Sequence, residues 1–312
     1  MGGQKFRMGC AAVGAAAFVV AASPAHASSG PVPVAAVGPA AWCSIHLNGV
    51  VATGANTGQI TRRFYETRNG QPASTLDRYN PGRLGFVPRG LVTDPGGAGG
   101  IPAVNSFYLG NSAAGNFYRI SAVGQNSSEE VKVTATSVGT SWSAIRTLTT
   151  TGSGGSNSNY IYGLSDAGGF YRYQYGPASQ APYGRVTVGA SGWQVVKTIA
   201  RTRTVTLPGT TRQADVLLAT TTDGKLVEYT VPLDQPAQWT RVDLKTTSWG
   251  GFKALHSGDC YNNSGAAVGR ILLGVTTAGD VYLYHDKNAN DGSGSDVVGY
   301  GKISSGWTEK IF

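Results

Sequence analysis

Tyr160 to Tyr173 reads YIYGLSDAGGFYRY, and Phe107 to Ile120 reads FYLGNSAAGNFYRI. Aligned without gaps, the two stretches share two glycines, a serine between them and the run Phe-Tyr-Arg. Each consists of an apolar strand, a small polar turn with glycine, and an alternating strand with aromatic residues, which is the pattern of a β-hairpin. This hairpin decides the fold, because it recurs along the chain.

Three further stretches fit the same frame: Val216 to Tyr229, Ile271 to Tyr284 and, more weakly, Val50 to Arg63. The turn glycine falls at positions 58, 115, 168, 224 and 279, with spacings of 57, 53, 56 and 55 residues. A regular period of about this length is typical of a repeat architecture with one four-stranded blade per repeat.

A second motif precedes the hairpins. Trp142, Trp193 and Trp249 each begin a W-x-x-Φ-[KR]-x-Φ segment, and Phe86 to Val92 is a looser version. The last copy, Trp307 to Phe312, has no hairpin after it, while the first hairpin has no tryptophan segment before it. Joining these two ends in a ring makes one complete repeat from the two partial ones and removes exposed sheet edges.

The repeat therefore predicts an all-β fold, a five-bladed β-propeller of four-stranded blades, closed by the C-terminal strand pairing into the N-terminal blade. The predicted blades are 307–312 with 43–83, 84–141, 142–192, 193–248 and 249–306. The predicted domains are a secretory signal peptide at 1–27, a linker at 28–42 and a single propeller at 43–312. Lys5, Arg7, the apolar run from Cys10 to Ala22 and the A-x-A site ending at Ala27 indicate the signal peptide.

Cysteine content and charge narrow the function classes. Cleavage leaves Cys43 and Cys260, and an even pair in an oxidising compartment favours a disulfide over a metal or redox site. We expect no cofactor and no metal, because the calcium-like loop from Asp286 to Gly292 lacks a glutamate at its twelfth position. The net charge of +8 comes without a tight basic cluster. We therefore expect a secreted, extracellular monomer without nucleic-acid binding or membrane insertion.

A W-x-x-Φ strand followed by a G-x-[LF]-Y-x-Y hairpin, about five times, resembles the tachylectin-2 family, whose members are five-bladed propeller lectins. The resemblance covers nearly all of residues 43–312 as repeat architecture, and among its closest matches are Ser191-Gly192-Trp193 and Ser305-Gly306-Trp307. It implies a secreted carbohydrate-binding propeller that recognises N-acetylated amino sugars on glycans or cell-surface polysaccharide through multivalent weak sites. In one blade, Gly85-Phe86 replaces the Gly-Trp pair.

Tryptophans and turn aspartates are the candidate ligand-binding residues, because pyranose C–H faces pack on indole and carboxylates bond to hydroxyls. The regular spacing of the repeat tryptophans is explained more simply by packing between blades. Trp239 lies outside the repeat and is the better candidate for an exposed platform. Turn chemistry alone favours the aspartates. The candidates are Trp142, Trp193, Trp239, Trp249, Trp307, Asp166 and Asp223.

Two alternative functions remain open at this point. One is a protein-interaction scaffold without sugar specificity. The other is a polysaccharide hydrolase or lyase, which needs two carboxylates facing each other across the scissile bond. The prediction is that the chain is not an enzyme and has no catalytic residues, because Glu66, Glu228 and Glu309 lie on or near repeat strands, and Glu129 and Glu130 are adjacent in a polar turn.

Overall fold

The computed structural model describes residues 41–68, 71–94, 104–124, 131–150, 159–176 and 181–312. The predicted signal peptide at 1–27 lies outside the described residues, and so does the predicted linker up to residue 40. The described residues all belong to one unit, Val32–Phe312. Their regular structure is β-strand, apart from two single-turn 3-10 helices at Trp193–Val195 and Pro236–Gln238.

The strands follow one another in antiparallel hairpins. In chain order they are β1 (Trp42–Val50), β2 (Gln59–Arg68), β3 (Gln71–Arg83), β4 (Gly90–Thr93), β5 (Val104–Asn111), β6 (Phe117–Gly124), β7 (Lys132–Gly139), β8 (Ile145–Thr150), β9 (Asn159–Ser165), β10 (Phe170–Tyr175), β11 (Tyr183–Gly189), β12 (Val196–Thr206), β13 (Gln213–Thr221), β14 (Leu226–Pro232), β15 (Thr240–Lys245), β16 (Phe252–Tyr261), β17 (Ala267–Thr276), β18 (Val281–Asp286), β19 (Val297–Ser304) and β20 (Lys310–Ile311).

The described strands form four sheets, of which three contain four strands each, in the orders β4-β5-β6-β7, β11-β10-β9-β8 and β12-β13-β14-β15. The fourth sheet contains two further sets of four, β16-β17-β18-β19 and β20-β1-β2-β3, joined where Trp42 of β1 lies opposite Tyr261 of β16. We call each set of four strands a blade, numbered from blade 1 (β20, β1–β3) to blade 5 (β16–β19). The prediction of an all-β fold with four-stranded blades is confirmed.

The C-terminal segment is held in blade 1. β20 pairs with β1, with Ile311 opposite Gly49 and Lys310 opposite Val50. The buried Glu309 carboxylate accepts two hydrogen bonds from Arg63 Nη2, at 3.0 and 3.1 Å. The same guanidinium lies 4.4 Å from the centroid of the Trp307 ring. A two-residue strand is thus reinforced by a buried ion pair and a cation–π contact.

The turn of each repeat hairpin forms a backbone hydrogen bond with the first residue of the next tryptophan segment, or of its variant in blade 2. The five turn glycines have positive φ angles between 79° and 88°, a conformation that residues with a Cβ adopt only at a cost. Each glycine carbonyl accepts a hydrogen bond of 2.8 to 3.1 Å from a backbone N–H. The five pairs are Gly58 with Leu84, Gly115 with Trp142, Gly168 with Trp193, Gly224 with Trp249 and Gly279 with Trp307.

A second contact repeats at the position five residues after the turn glycine. Its side chain packs on the tryptophan of the same blade, with centres 4.4 to 4.5 Å apart in four blades. The pairs are Trp142 with Tyr173, Trp193 with Tyr229, Trp249 with Tyr284 and Trp307 with Arg63. Each tryptophan therefore joins the turn of one blade to the body of another.

Leu84 occupies the tryptophan position in blade 2, so the predicted alignment of this copy is wrong at its first residue. Leu84 donates the bond to Gly58 and packs in one core cluster with Ile120, which replaces the tyrosine. Phe86, expected to replace the tryptophan, is partly buried and stacks on Tyr118 with ring centroids 4.5 Å apart. Between Leu84 and Arg89 this copy is one residue longer than the copies that begin at Trp142, Trp193 and Trp249.

The core lies between blades, because the middle strands are covered on both faces. In β13, Leu217 packs in a cluster with Tyr162 of blade 3, whereas the next residue, Leu218, packs in a cluster with Leu272 of blade 5. The run Ala214–Thr221 is accordingly buried throughout. Outer strands such as β7 and β11 are mostly exposed. The centre of this middle strand, Val216–Ala219, is therefore an uninterrupted apolar run.

Cys43 and Cys260 are both buried and lie opposite each other across β1 and β16, where they form a disulfide with an S–S distance of 2.07 Å. The predicted bridge is confirmed, and it links blade 1 to blade 5. Within the described ranges, no helix has the length and apolar character required to span a membrane.

Candidate functional site

The four repeat tryptophans lie in the core rather than on a surface. Trp142, Trp193, Trp249 and Trp307 are 1 to 8% exposed. Their rings pack on aromatic or guanidinium groups of the blades, as described above. These four predicted ligand contacts therefore occupy packing positions, and the structure offers a sugar little indole surface at any of them.

The two predicted aspartates are exposed, in separate hairpin turns, and each has a partner. Asp166 accepts hydrogen bonds from Arg89 Nη2, at 2.8 Å to each carboxylate oxygen. Asp223 accepts a hydrogen bond from the Thr221 hydroxyl, which lowers the pKa of its carboxyl, and lies 3.7 Å from Lys225 Nζ. The structure brings neither aspartate to a predicted tryptophan; Asp166 ties blade 3 to the segment that begins blade 2.

Among the predicted tryptophans, Trp239 is the one that the structure leaves partly exposed, at a turn between two blades. It follows the 3-10 helix Pro236–Gln238, whose first residue, Pro236, suits the start of a helical turn. This turn connects β14 to β15 in blade 4 and packs against β11 of blade 3. The Trp239 ring is partly buried, with centroids 5.0 Å from Trp193 and 5.6 Å from Tyr229, at interplanar angles of 70° and 75°.

The turn that carries Trp239 also carries polar side chains. Gln235 and Gln238 are exposed on the same turn. Arg212 donates to both oxygens of Asp234, at 2.8 and 3.0 Å, and to the Gln235 side-chain oxygen at 3.0 Å. The hydrogen bond from Arg212 lowers the pKa of Asp234, so this carboxylate is charged at neutral pH.

Blade 3 supplies the surface next to the turn that carries Trp239. Among the residues of β11, Tyr183 is 51% exposed. Arg172 of β10 donates to the Leu233 carbonyl at 2.9 Å and lies 4.2 Å from the centroid of the Tyr160 ring, which ties the two blades together beneath the turn. We call the surface formed by the 235–239 turn and β11 the Trp239 groove.

Five basic residues without an assigned role in the sequence line a single inner cavity. Each stands at the [KR] position of the tryptophan motif or its variant, and each comes from a different blade. They are Arg89, Arg146, Lys197, Lys253 and Lys310. The sequence contains a sign of this cluster, because a basic residue recurs at one position of the tryptophan motif. The repeat alone does not show which way that side chain points.

Two glutamates, Glu228 and Glu309, form buried ion pairs with arginines. Glu228 of blade 4 accepts a 2.7 Å hydrogen bond from Arg270 of blade 5, which also donates to Asp286 at 2.8 Å, and all three side chains are buried. Asp286, the first residue of the calcium-like loop, is thus engaged by an arginine. No group of three or more His, Cys, Asp and Glu that suits a metal ion occurs within the described ranges.

No family model matches the chain, and no curated protein matches it in sequence. Among solved structures, AofleA from Arthrobotrys oligospora is similar with 11% identity and a TM-score of 0.47, over 86% of this chain and 71% of that one. The fucose-specific lectin from Aleuria aurantia has 13% identity and a TM-score of 0.40, over 84% and 80%. A NanB sialidase mutant from Streptococcus pneumoniae has 8% identity and a TM-score of 0.37, over 78% and 35%. Likenesses this distant carry no functional argument, so the chain's own residues must supply it.

Proposed function

We propose that this chain is a secreted five-bladed β-propeller that binds glycans, with the Trp239 groove as its sugar platform. One observation carries the proposal: a tryptophan outside the repeat is held partly exposed at the junction of two blades, on a turn that also carries two exposed amide side chains. The buried disulfide supports the predicted export, because such bonds persist in oxidising compartments.

The closed ring is supported by the bonds of the turn glycines. They run from each blade to the next, and the bond from Trp307 to Gly279 joins blade 5 back to blade 1. From blade 1, Gly58 bonds Leu84 at the start of blade 2. An open array would leave its end blades without this contact and would need caps. The β20–β1 pairing and the disulfide support the same closure.

A glycan suits the Trp239 groove for two physical reasons. The C–H face of a pyranose ring packs on indole, and the flat aromatic surface contributes contact area without a large loss of side-chain entropy. Hydroxyl and acetamide groups bond to amides such as Gln235 and Gln238 and to the guanidinium of Arg212. N-acetylated amino sugars are the first ligand class to test, because their acetamide offers both a donor and an acceptor to these side chains.

The resemblance to the tachylectin-2 family implied several weak sites, but the buried repeat tryptophans do not supply equivalent platforms. We therefore assign the main site to blade 4, and any multivalency to additional contacts along a glycan surface.

Glycan-array binding of the purified chain tests the proposal. We expect binding to arrayed glycans, with Trp239→Ala weakening it at least about tenfold because the stacking surface is removed. Trp42→Ala is the matched control, since Trp42 is 45% exposed but lies at the junction of blades 1 and 5. Folded protein that binds no glycan at high density, or Trp239→Ala protein with full binding, contradicts the proposal.

A protein-binding scaffold is the second candidate, favoured by one exposed aromatic pair. Trp42 and Tyr261, 45% and 38% exposed, lie directly opposite each other on β1 and β16. Exposed aromatic side chains are enriched at protein interfaces. Capture of a protein from the culture of producing cells, lost in Trp42→Ala but kept in Trp239→Ala, supports the scaffold function; capture unaffected by Trp42→Ala argues against it.

A further inference from the structure

One basic side chain from each blade lines the inner cavity, and we call these five residues the basic ring: Arg89, Arg146, Lys197, Lys253 and Lys310. They stand immediately before β4 or within β8, β12, β16 and β20. In each segment an apolar residue follows two positions later, so the five cations occupy equivalent positions of the repeat.

The side chains of the basic ring are fixed by hydrogen bonds to backbone carbonyls of the next blade. Arg146 Nη2 donates to Trp193 at 3.1 Å and Val196 at 2.6 Å. Lys253 Nζ donates to Trp307 at 3.1 Å and Glu309 at 3.4 Å. Arg89 and Lys197 donate in the same way to Ser143 and Gly250, and Lys310 donates to Pro88 and Arg89.

These bonds leave donors available. An ammonium group has three N–H donors, and Lys253 and Lys310 each use two on carbonyls, whereas Lys197 uses one. Because the bonded carbonyls are neutral, they orient the ammonium groups without cancelling their charge.

The charge of the basic ring is not balanced inside the cavity. Its lining contains no aspartate or glutamate among the described residues. Asp166 pairs with Arg89 from outside this lining, through a carboxylate that is itself exposed. Burial lowers the pKa of Arg146, Lys253 and Lys310, and the charge of Arg89 lowers that of Lys310 further. The site therefore gains from a bound negative charge.

The cavity beside the basic ring has room for a small ligand. Its volume is about 100 Å³, several times the space that one water molecule needs. A belt of apolar side chains lies beside the basic ring: Leu91, Leu148, Ile199, Leu255 and Phe312. A carboxylate or a tetrahedral oxyanion fits this space.

His256 adds a neutral polar group to the same cavity. It lines both the part beneath the basic ring and the adjoining part of about 150 Å³. Its Nε2 is buried without a hydrogen-bond partner among the described residues. Burial lowers the pKa of the imidazole to about 4, so the ring is neutral at pH 7 and one of its nitrogens can donate to a polar ligand.

We propose that the inner cavity is a binding site for a small oxyanion of the phosphate or sulfate class, held by the basic ring and therefore in contact with all five blades. This site is separate from the Trp239 groove, and its occupancy does not depend on glycan binding. An anion bound there stabilises the folded chain, because it binds the assembled ring and not the unfolded chain.

Titration calorimetry with inorganic phosphate, and separately with sulfate, tests the proposal at constant ionic strength set with chloride. We expect saturable binding of about one anion per chain and a melting temperature that rises with the logarithm of anion concentration. Lys253→Met removes one charge-assisted partner and is expected to weaken binding about tenfold. Lys302→Met is the matched control, since Lys302 is in the same blade but pairs with Asp280 at the surface.

The outcomes are distinct. General stabilisation by excluded salts does not saturate and affects all variants equally. If phosphate and sulfate give no saturable heat, or if Lys253→Met and Lys302→Met bind them equally, the oxyanion site is overturned. Should Lys253→Met fail to fold, Lys197→Met takes its place, and the titration of the unmodified chain still decides whether the site exists.

Discussion

At the residue scale, when the side chain at the tryptophan position or at its packing position differs from the repeat, the other side chain of the pair fits the difference. Tyrosine faces tryptophan in three blades, Arg63 faces Trp307, and Ile120 lies with Leu84. A large flat ring is packed by another ring or by a planar guanidinium, whereas a leucine is packed by an aliphatic side chain. The departures from the repeat are therefore matched in pairs and preserve a filled core.

The buried ion pair of the closing segment gives a residue-scale prediction. Glu309→Gln keeps the shape of the side chain but leaves the buried Arg63 guanidinium without its counter-charge. We expect the free energy of unfolding to fall by about 3–5 kcal/mol, measured by denaturant titration. Asp234→Asn is the control, because the Arg212–Asp234 pair is exposed and its loss changes stability little. Equal effects of the two variants contradict this prediction.

The sequence predicts which residue types repeat, but not all of their surroundings. Trp239 is recognised from the sequence as lying outside the repeat, and in the structure it is partly buried, unlike the four repeat tryptophans in the core. The alignment of the repeats placed Phe86 where Leu84 lies, because a leucine at a tryptophan position is visible only through its bond to Gly58 and its packing with Ile120. The cavity that the repeated cations share was missed for the same reason, since it exists only when the blades are assembled.

At the element scale, the hairpin turns differ in how closely the next blade approaches them. At Gly279, an added Cβ lies 2.8 Å from the Trp307 nitrogen and 2.9 Å from its carbonyl oxygen. At Gly224, the nearest atom to such a Cβ is the Ser248 nitrogen, at 3.6 Å. Both glycines have positive φ, 82° and 87°. The φ angle is therefore similar in the two turns, whereas the space available to an added Cβ is smaller at Gly279 than at Gly224.

Alanine substitutions at these two turns separate the effects. We expect Gly224→Ala to lower the free energy of unfolding by about 1–2 kcal/mol through its left-handed backbone alone. Gly279→Ala should lower it more, because the methyl group also displaces the backbone that donates to Gly279. Urea unfolding monitored by tryptophan fluorescence provides the measurement. If Gly279→Ala is as stable as Gly224→Ala, the close contact between Gly279 and the backbone of Trp307 is contradicted.

Sequence patterns were most informative for the hairpins and least for the outer strands. The hairpins pair apolar runs with a glycine turn, so both their existence and their turn residue are confirmed, as at Asp223-Gly224. Outer strands such as β11 expose most of their residues and lack a strong apolar period. Their position is set by pairing with the middle strand, a contact that local sequence does not encode.

At the scale of the whole molecule, the disulfide joins parts of the chain that are 217 residues apart. Closing so long a loop removes much conformational freedom from the unfolded chain. We expect the Cys43→Ala, Cys260→Ala double variant to lose about 2–5 kcal/mol of unfolding free energy, by denaturant titration. Reductant should destabilise the unmodified chain and leave the double variant unchanged; sensitivity of the double variant to reductant contradicts the assignment.

The packing pairs that differ from one repeat to another also affect which segment docks on which hairpin during folding. The segment ending at Phe312 presents Trp307, whose ring is shaped for the guanidinium of Arg63, whereas the corresponding place in blade 2 is fitted to the smaller Leu84. A segment that docked beside the wrong hairpin would create a void or a clash at this contact. Differences among the copies therefore disfavour exchanged or shuffled repeats, a hazard that identical copies would share equally.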